Sequence, residues 1–224
     1  MIDLSGKHLV VTGARGVLGA AVADRAIELG ARLTLADLTA PKGRFEERWI
    51  AADLADAATS AAALVELGPV DALLCIAGGF DMGPQVHETS PELFAQMMAI
   101  NVTTLQNTLR AVVPGMVERG RGSIVTVGAL SATSGQAYMG AYTAAKSAVM
   151  RLTEALSAEL KEVGVRANCV LPSLIDTPAN RRAMSDADFS RWVSPRELAN
   201  VICFLASEGA SSITGALIPV AGRV

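Results

Sequence analysis

Two side chains in this sequence are placed to share one proton. Tyr142 and Lys146 stand four residues apart at the start of Ala141–Val163, a long alanine-rich stretch of helical period. On a helix that spacing puts both on one face, so both meet the same ligand. A phenol with an unperturbed pKa of about 10 is a poor acid at neutral pH, and a nearby ammonium favours its phenolate. Such a pair exchanges protons with an oxygen of a bound molecule. With only two tyrosines in the chain, the spacing is an uncommon accident.

A second group of residues suits an anion. An apolar run from His8 to Thr12 passes into Gly13, Ala14, Arg15, Gly16, Val17, Leu18 and Gly19, and then into an apolar helical stretch. Glycines at a strand end let backbone N–H groups approach a phosphate, and the following helix offers its positive N-terminus. Asp37 ends the next apolar run 18 residues after Gly19, near the spacing at which a carboxylate meets the adenosine ribose hydroxyls. Together these predict a dinucleotide site. A carboxylate about 4 Å from a 2′-phosphate costs on the order of 1–4 kcal/mol, so Asp37 favours NAD(H). Arg15 works in the other direction, toward NADP(H), if its guanidinium reaches that phosphate, and otherwise it is a solvated loop cation.

These residues need a scaffold, and the chain supplies an alternating one. Seven apolar runs read as strands: His8–Thr12, Arg32–Ala36, Arg48–Ala51, Asp71–Ile76, Ser123–Val127, Arg166–Leu171 and Leu217–Val220. Helical stretches separate most of them: Val17–Leu29, Ala55–Leu67, Pro91–Arg119, Ala141–Val163 and Pro195–Ser207. Gly30 and Gly164 are stop signals, and Ser90 and Ser194 stand as caps before Pro91 and Pro195. Between the second and third runs Pro41 and Gly43 argue against a full crossover helix. The pattern predicts an α/β fold: a Rossmann-type doubly wound parallel sheet of about seven strands with helices on both faces, in one domain spanning residues 1–224. The polar, arginine-rich segment Ser173–Val193 leaves the carboxyl end of the sixth strand, as a cover for a ligand or as a plain surface loop.

Composition narrows the partners. Hydrophobic residues make up 51% and charged ones 18% of the 224 residues, enough to bury strands on both sides. A net charge of −3 with scattered Lys and Arg gives no footprint for nucleic acid, which points to a small-molecule substrate. Cys75, Cys169 and Cys203 lie far apart in apolar runs without CxxC pairing or a His cluster, so they read as buried thiols of a reducing, cytoplasmic compartment, with no metal site. No apolar signal core or membrane-length stretch is seen, and a soluble chain is expected.

The order of these residues resembles the short-chain dehydrogenase/reductase family along essentially the whole chain. The resemblance implies that Asp53, with Leu54, meets adenine, and that Ala77, Gly78 and Gly79 line the cofactor at the fourth strand's end. It also implies that Pro172, Ile175 and Thr177 belong to the segment that covers the cofactor. Lys146 would hold the nicotinamide ribose and lower the Tyr142 pKa, with Asn101 joining Lys146 through water in a proton relay. Taken alone, Asn101 reads equally as a helix interruption satisfied by backbone. The activity implied is hydride transfer between NAD(P)(H) and a carbonyl or imine-like small molecule, in a homodimer or homotetramer paired through the helices around Asn101 and Tyr142.

Three departures stand out. Val17 occupies the place of the family's middle glycine, with Gly16 one position earlier, so the turn must close differently. Cys75 and Ile76 replace two asparagines before Ala77-Gly78. Ala129 stands 13 residues before Tyr142, where the family carries its catalytic serine, leaving Ser131, Ser134 or a water as substitutes. Several departures are shared with the quinonoid dihydropteridine reductase branch, as is the run Asp176, Thr177, Pro178, Asn180, Arg181, Met184, Ala187, Asp188, Phe189 and Trp192. A quinonoid C=N asks less of an oxyanion donor than a simple ketone does. In the loop, Arg181, Arg182 and Trp192 read either as contacts to a planar or anionic substrate or as surface cations and a packing anchor. The alternatives are therefore a dihydropteridine reductase-like activity and a dinucleotide-binding regulatory protein without catalysis.

Overall fold

The computed structural model describes residues 2–41 and 49–224. Strands β1 (His8–Thr12), β2 (Arg32–Asp37), β3 (Trp49–Ala51), β4 (Ala72–Cys75), β5 (Gly122–Val127), β6 (Val165–Pro172) and β7 (Leu217–Val220) form one sheet in the order β3-β2-β1-β4-β5-β6-β7, with every pairing parallel. Arg48 and most of the segment said to lack a crossover helix lie outside the described residues. The strand order reverses between β1 and β4, where a crevice opens at the carboxyl ends of the strands.

Strand periodicity sorts the core into two layers. Leu9, Val11, Leu33, Leu35, Leu74, Val125 and Val170 pack against α1 (Val17–Glu28) and α7 (Pro195–Ala206). The alternate residues Val10, Ala36, Leu73, Ile124 and Ala167 pack against α2 (Ala57–Leu64), α4 (Thr104–Glu118) and α5 (Gly140–Leu160). Successive side chains of a strand point to opposite faces, so one apolar run serves both layers. Leu198, Ile202 and Leu205 of α7 are fully buried, each contributing about 1.5–3 kcal/mol by removal from water.

Helix ends follow the caps. The Asp56 carboxylate accepts from the Thr59 N–H at 2.7 Å, so α2 begins at Ala57 rather than Ala55. Ser90 and Ser194 cap α3 (Pro91–Met98) and α7, and Gly30 and Gly164 take φ of 85° and 76° behind their helices. The stretch Pro91–Arg119, expected as one helix, is α3 and α4 joined by a π turn at Ala99–Thr103. The cause is Asn101, whose side-chain amide donates to the Met97 carbonyl at 3.0 Å and holds the widened turn.

The segment after β6 is more ordered than its composition predicts. Thr177 caps a short α6 (Pro178–Ala183), Ile175 bridges to Val193, and Arg181 pairs with Asp176 through two contacts of 2.5 and 2.6 Å. Trp192 is buried with its ring 4.8 Å from that of Phe189, which makes it a packing anchor.

Candidate active site

The carboxyl edge of the sheet brings the sequence-identified residues together. At the end of β1, Gly13 has φ 66°, and a Cβ there would lie 2.6 Å from the Ala77 Cα. A Cβ on Gly19 would lie 2.1 Å from the Gly13 carbonyl oxygen. Only glycine allows these approaches. The displaced Gly16 closes the turn itself, donating its N–H to the Gly13 carbonyl at 3.1 Å and forming the N-cap of α1 without a side-chain cap. The first-turn N–H groups at Val17, Leu18 and Gly19 therefore face the crevice as a helix N-terminus suited to an anion.

Asp37 lies at the end of β2 beside this turn. Its carboxylate accepts from the Arg15 N–H at 2.9 Å and the Leu38 N–H at 2.8 Å, which fixes the loop and orients the acid toward the crevice rim. The Arg15 guanidinium is hydrogen-bonded to the Thr39 hydroxyl. Asp53 is exposed after β3 and caps the Ala55 N–H, whereas the Leu54 side chain is buried in the second core layer and its carbonyl accepts from Asn107.

The missing strand-end asparagines have stand-ins. The Thr12 hydroxyl accepts from the Ala77 N–H at 3.2 Å, and Asn101 makes a double bond pattern with Gly79, accepting its N–H and donating to its carbonyl, each at 3.1 Å. Asn101 is thus both a helix interruption and a brace for the Ala77-Gly78-Gly79 segment. A Cβ on Gly78 would lie 2.7 Å from Asn101 Oδ1 and 3.0 Å from Lys146 Nζ, so the bare Gly78 backbone separates these two groups. A small cavity of mixed lining adjoins both, with Thr12, Thr104, Thr126, Asn101 and Lys146 as its polar groups among Cys75, Leu105 and Val149.

Tyr142 and Lys146 project from one face of α5, as their spacing predicts. Lys146 is buried and donates to the Val127 carbonyl at 2.9 Å. Burial pushes its ammonium down to about 8, against a smaller upward pull from Cys169. Burial pushes the Tyr142 phenol up to about 12. The cause acting on the phenol in the protein by itself is the desolvation of its charged form.

Ala129 is 4% exposed, and its methyl packs with Met150, Leu171 and Cys169 beside Tyr142. Ser134 is exposed and accepts from Gln136 at 3.1 Å, while Ser131 lies on a short 3-10 turn. Arg181 is committed to Asp176 and stacks 4.8 Å above the Phe189 ring, while Arg182 is exposed. Pro172 ends β6 buried, Ile175 packs against the first core layer, and the Thr177 hydroxyl caps α6. Sequence reasoning missed Phe80, whose ring meets Tyr142 edge-on at 4.9 Å, and the Thr12 brace. Phe80 follows Gly78-Gly79 directly, but nothing in its spacing signals the contact.

A doubly wound parallel sheet, a glycine cradle under an uncapped helix N-terminus and a half-buried Tyr142 paired with a buried Lys146 define a dinucleotide-dependent oxidoreductase. The chain belongs to the short-chain dehydrogenase/reductase family: residues 13–222 match the family model described as enoyl-(acyl carrier protein) reductase. It is 30% identical over 234 residues to an acetoacetyl-CoA reductase of Synechocystis sp., covering 99% of this chain and 97% of that protein. It is 32% identical over 248 residues to a 2,5-dichloro-2,5-cyclohexadiene-1,4-diol dehydrogenase of Sphingobium indicum, covering 99% and 98%. A 3-oxoacyl-[acyl-carrier protein] reductase of Brucella melitensis with bound NAD superposes with a TM-score of 0.88 at 28% identity, covering all of this chain and 93% of the other. The protein is an NAD(P)-dependent enzyme that transfers hydride to or from a small molecule. These relatives favour neither a pteridine-type reductase nor a binding protein without catalysis. No described helix is long and apolar enough to cross a membrane.

Proposed function

We propose that the protein reduces a carbonyl, or oxidises the corresponding alcohol, with Tyr142 as general acid or base, Lys146 as its partner and Asn101 as the relay group. The observation that carries this reading is the placement of Tyr142 and the buried Lys146 on one face of α5, next to Gly78 at the carboxyl edge of the sheet. A bound nicotinamide would supply or accept the hydride at the substrate carbon. Tyr142 gives its proton to the oxygen during reduction and takes it back in oxidation, so the C=O bond becomes CH–OH while the dinucleotide is oxidised. Lys146, held by the Val127 carbonyl, has two further N–H donors for the ribose hydroxyls and stabilises the transient phenolate. Asn101 and the cavity adjoining Lys146 offer a route for the replacement proton. With Ala129 at the family's serine position, Tyr142 is the sole hydroxyl assigned to the substrate oxygen.

The first-turn N–H groups of Val17, Leu18 and Gly19, on the turn that Gly13, Arg15 and Gly16 shape, would hold the pyrophosphate, and Asp37 would take the adenosine ribose. Asp53 and Leu54 border the adenine, Leu54 through its backbone, and Ala77, Gly78 and Gly79 line the nicotinamide side. Pro172, Ile175 and Thr177 close over it. We assign NAD(H) as the preferred cofactor, and a homodimer or homotetramer as the working assembly. Tyr142→Phe is expected to lower turnover by roughly 10²–10⁴-fold while NADH binding, read by fluorescence, is retained. Full turnover in that variant at saturating cofactor would remove Tyr142 from the mechanism.

A further inference from the structure

Three exposed apolar side chains, Phe80, Met82 and Tyr138, lie around Tyr142. Phe80 is 59% exposed and sets its ring at 79° to that of Tyr142. Met82, two residues on, is 54% exposed. Tyr138 lines the same cleft as Met82; it is 51% exposed and has φ 63°, the one positive value outside glycine among the described residues. A bulky residue in the left-handed region is a costly conformation that persists only where its surroundings impose it. Here the imposing contact is the Tyr138 carbonyl, which accepts the Gly83 N–H at 3.0 Å and ties the loop carrying Phe80 and Met82 to the start of α5. Strain is thus spent on holding an aromatic ring at the mouth of the cleft.

The walls of that cleft are apolar. Met82, Pro84, Leu93, Tyr138 and Tyr142 line it, with Asp81 as its only charged group, and no Lys or Arg is among its described lining residues. On the Ala129 side Met150, Leu171 and Leu130 continue the apolar surface. Of the cations in the segment after β6, Arg181 is bound to Asp176 and Arg191 to the Arg223 carbonyl, while the exposed Arg182 is not among the residues lining the cleft. A carboxylate or phosphate entering here would lose water, gain no counter-charge and meet Asp81. A hydrocarbon ring would find exposed apolar surface on Phe80, Met82 and Tyr138.

We propose that the substrate is an uncharged carbonyl compound bearing an aromatic or cyclohexane-type ring, with the ring packed against the exposed Phe80, Met82 and Tyr138 side chains and the carbonyl oxygen directed at Tyr142. This rests on the reading that Tyr142 delivers the proton. The test compares kcat/KM with NADH for acetophenone and cyclohexanone against butan-2-one and acetoacetate, in the wild-type protein, Phe80→Ala, Phe80→Leu and Tyr138→Gly. Phe80 and Tyr138 are exposed, and glycine suits the φ at 138, so the variants keep the fold.

The ring ketones are expected to exceed butan-2-one by roughly tenfold or more, and acetoacetate by a larger factor. Phe80→Ala and Tyr138→Gly are each expected to reduce the ring-to-butanone ratio by roughly tenfold, mainly through KM, with Phe80→Leu between. A ratio near one in the wild-type protein, a ratio unmoved by the variants, or a preference for acetoacetate would overturn the proposal. If no ketone is turned over, the assigned reaction fails, and saturation-transfer NMR of acetophenone with the wild-type protein and Phe80→Ala decides the pocket separately. Binding weakened in the variant supports the ring site, and binding that is absent or unchanged overturns it.

Discussion

At the residue scale the site is governed by burial. Lys146 is desolvated to about 8, so it is a cation below that pH and neutral above it. Cys169 and Tyr142 face it, and both stay uncharged there, since burial raises the thiol and lifts the phenol to about 12. Assigned to the ribose, the ammonium should hold the cofactor best at low pH. NADH affinity in fluorescence titrations is therefore expected to fall as pH rises through about 8, and Lys146→Met should flatten that dependence. A pH-independent affinity in the wild-type protein would show that Lys146 does not carry the charge in binding. Asp37 acts on cofactor choice through the same Coulomb arithmetic. Asp37→Asn removes about 1–4 kcal/mol of repulsion toward a 2′-phosphate and is expected to shift the NADPH-to-NADH ratio of kcat/KM by roughly tenfold or more. The amide still serves as acceptor to one of the two backbone N–H groups that Asp37 holds. An unchanged ratio would place the selectivity elsewhere, with Arg15 and Thr39 the next residues to vary.

At the element scale, the β1–α1 turn and the broken helix α3–α4 each place functional backbone. The turn works because Gly19 has no side chain where the Gly13 carbonyl needs room. Gly19→Ala must move backbone atoms, so it is expected to cost about 1–3 kcal/mol, or roughly 2–4 °C in Tm per kcal/mol, and to weaken NADH binding more than tenfold. Thermal melts with and without NADH would separate the two effects, and a variant that melts and binds like the wild-type protein would show that the turn is looser than its contacts. The π turn acts in the opposite sense, adding width so that Asn101 reaches Gly79 and Met97 together. An uninterrupted α-helix would turn that amide to a different angle. The Tyr138 link to Gly83 extends the same logic to the substrate side, where a loop and a helix start are held by one backbone hydrogen bond.

At the scale of the whole molecule, α1 and α7 cover one face of the sheet and α2, α4 and α5 the other, leaving the carboxyl edge as the open crevice. Glu28 of α1 joins Arg196 of α7 through a two-point ion pair, which holds the Glu28 carboxyl at about 2. The outward positions of α5 include Ala144, Ala155 and Ala158, small residues that let another helix come close, and Phe94 of α3 and Val117 of α4 are exposed nearby in the chain. Pairing of subunits through these helices is expected to give a dimer or tetramer in size-exclusion chromatography with light scattering. A monomer at micromolar concentration would end that assignment and leave the site complete within one chain.

Periodicity and punctuation alone determined the sheet, the helix caps, the glycine turn and the Tyr142–Lys146 pair, because strands, caps and i, i+4 neighbours depend on residues close in sequence. The register of β1 to β7, the Thr12 and Asn101 braces and the edge-on Phe80 were decided only by tertiary structure, since they join residues far apart in the chain. The break at Ala99–Thr103 is legible in part: Asn101 reads as a helix interruption satisfied by backbone, while the Gly79 segment that its amide also braces is brought to it only by the tertiary structure. The direction of the Tyr142 shift is decided in the same way, since chemistry read from a sequence supplies the neighbouring ammonium but not the burial that desolvates the phenolate.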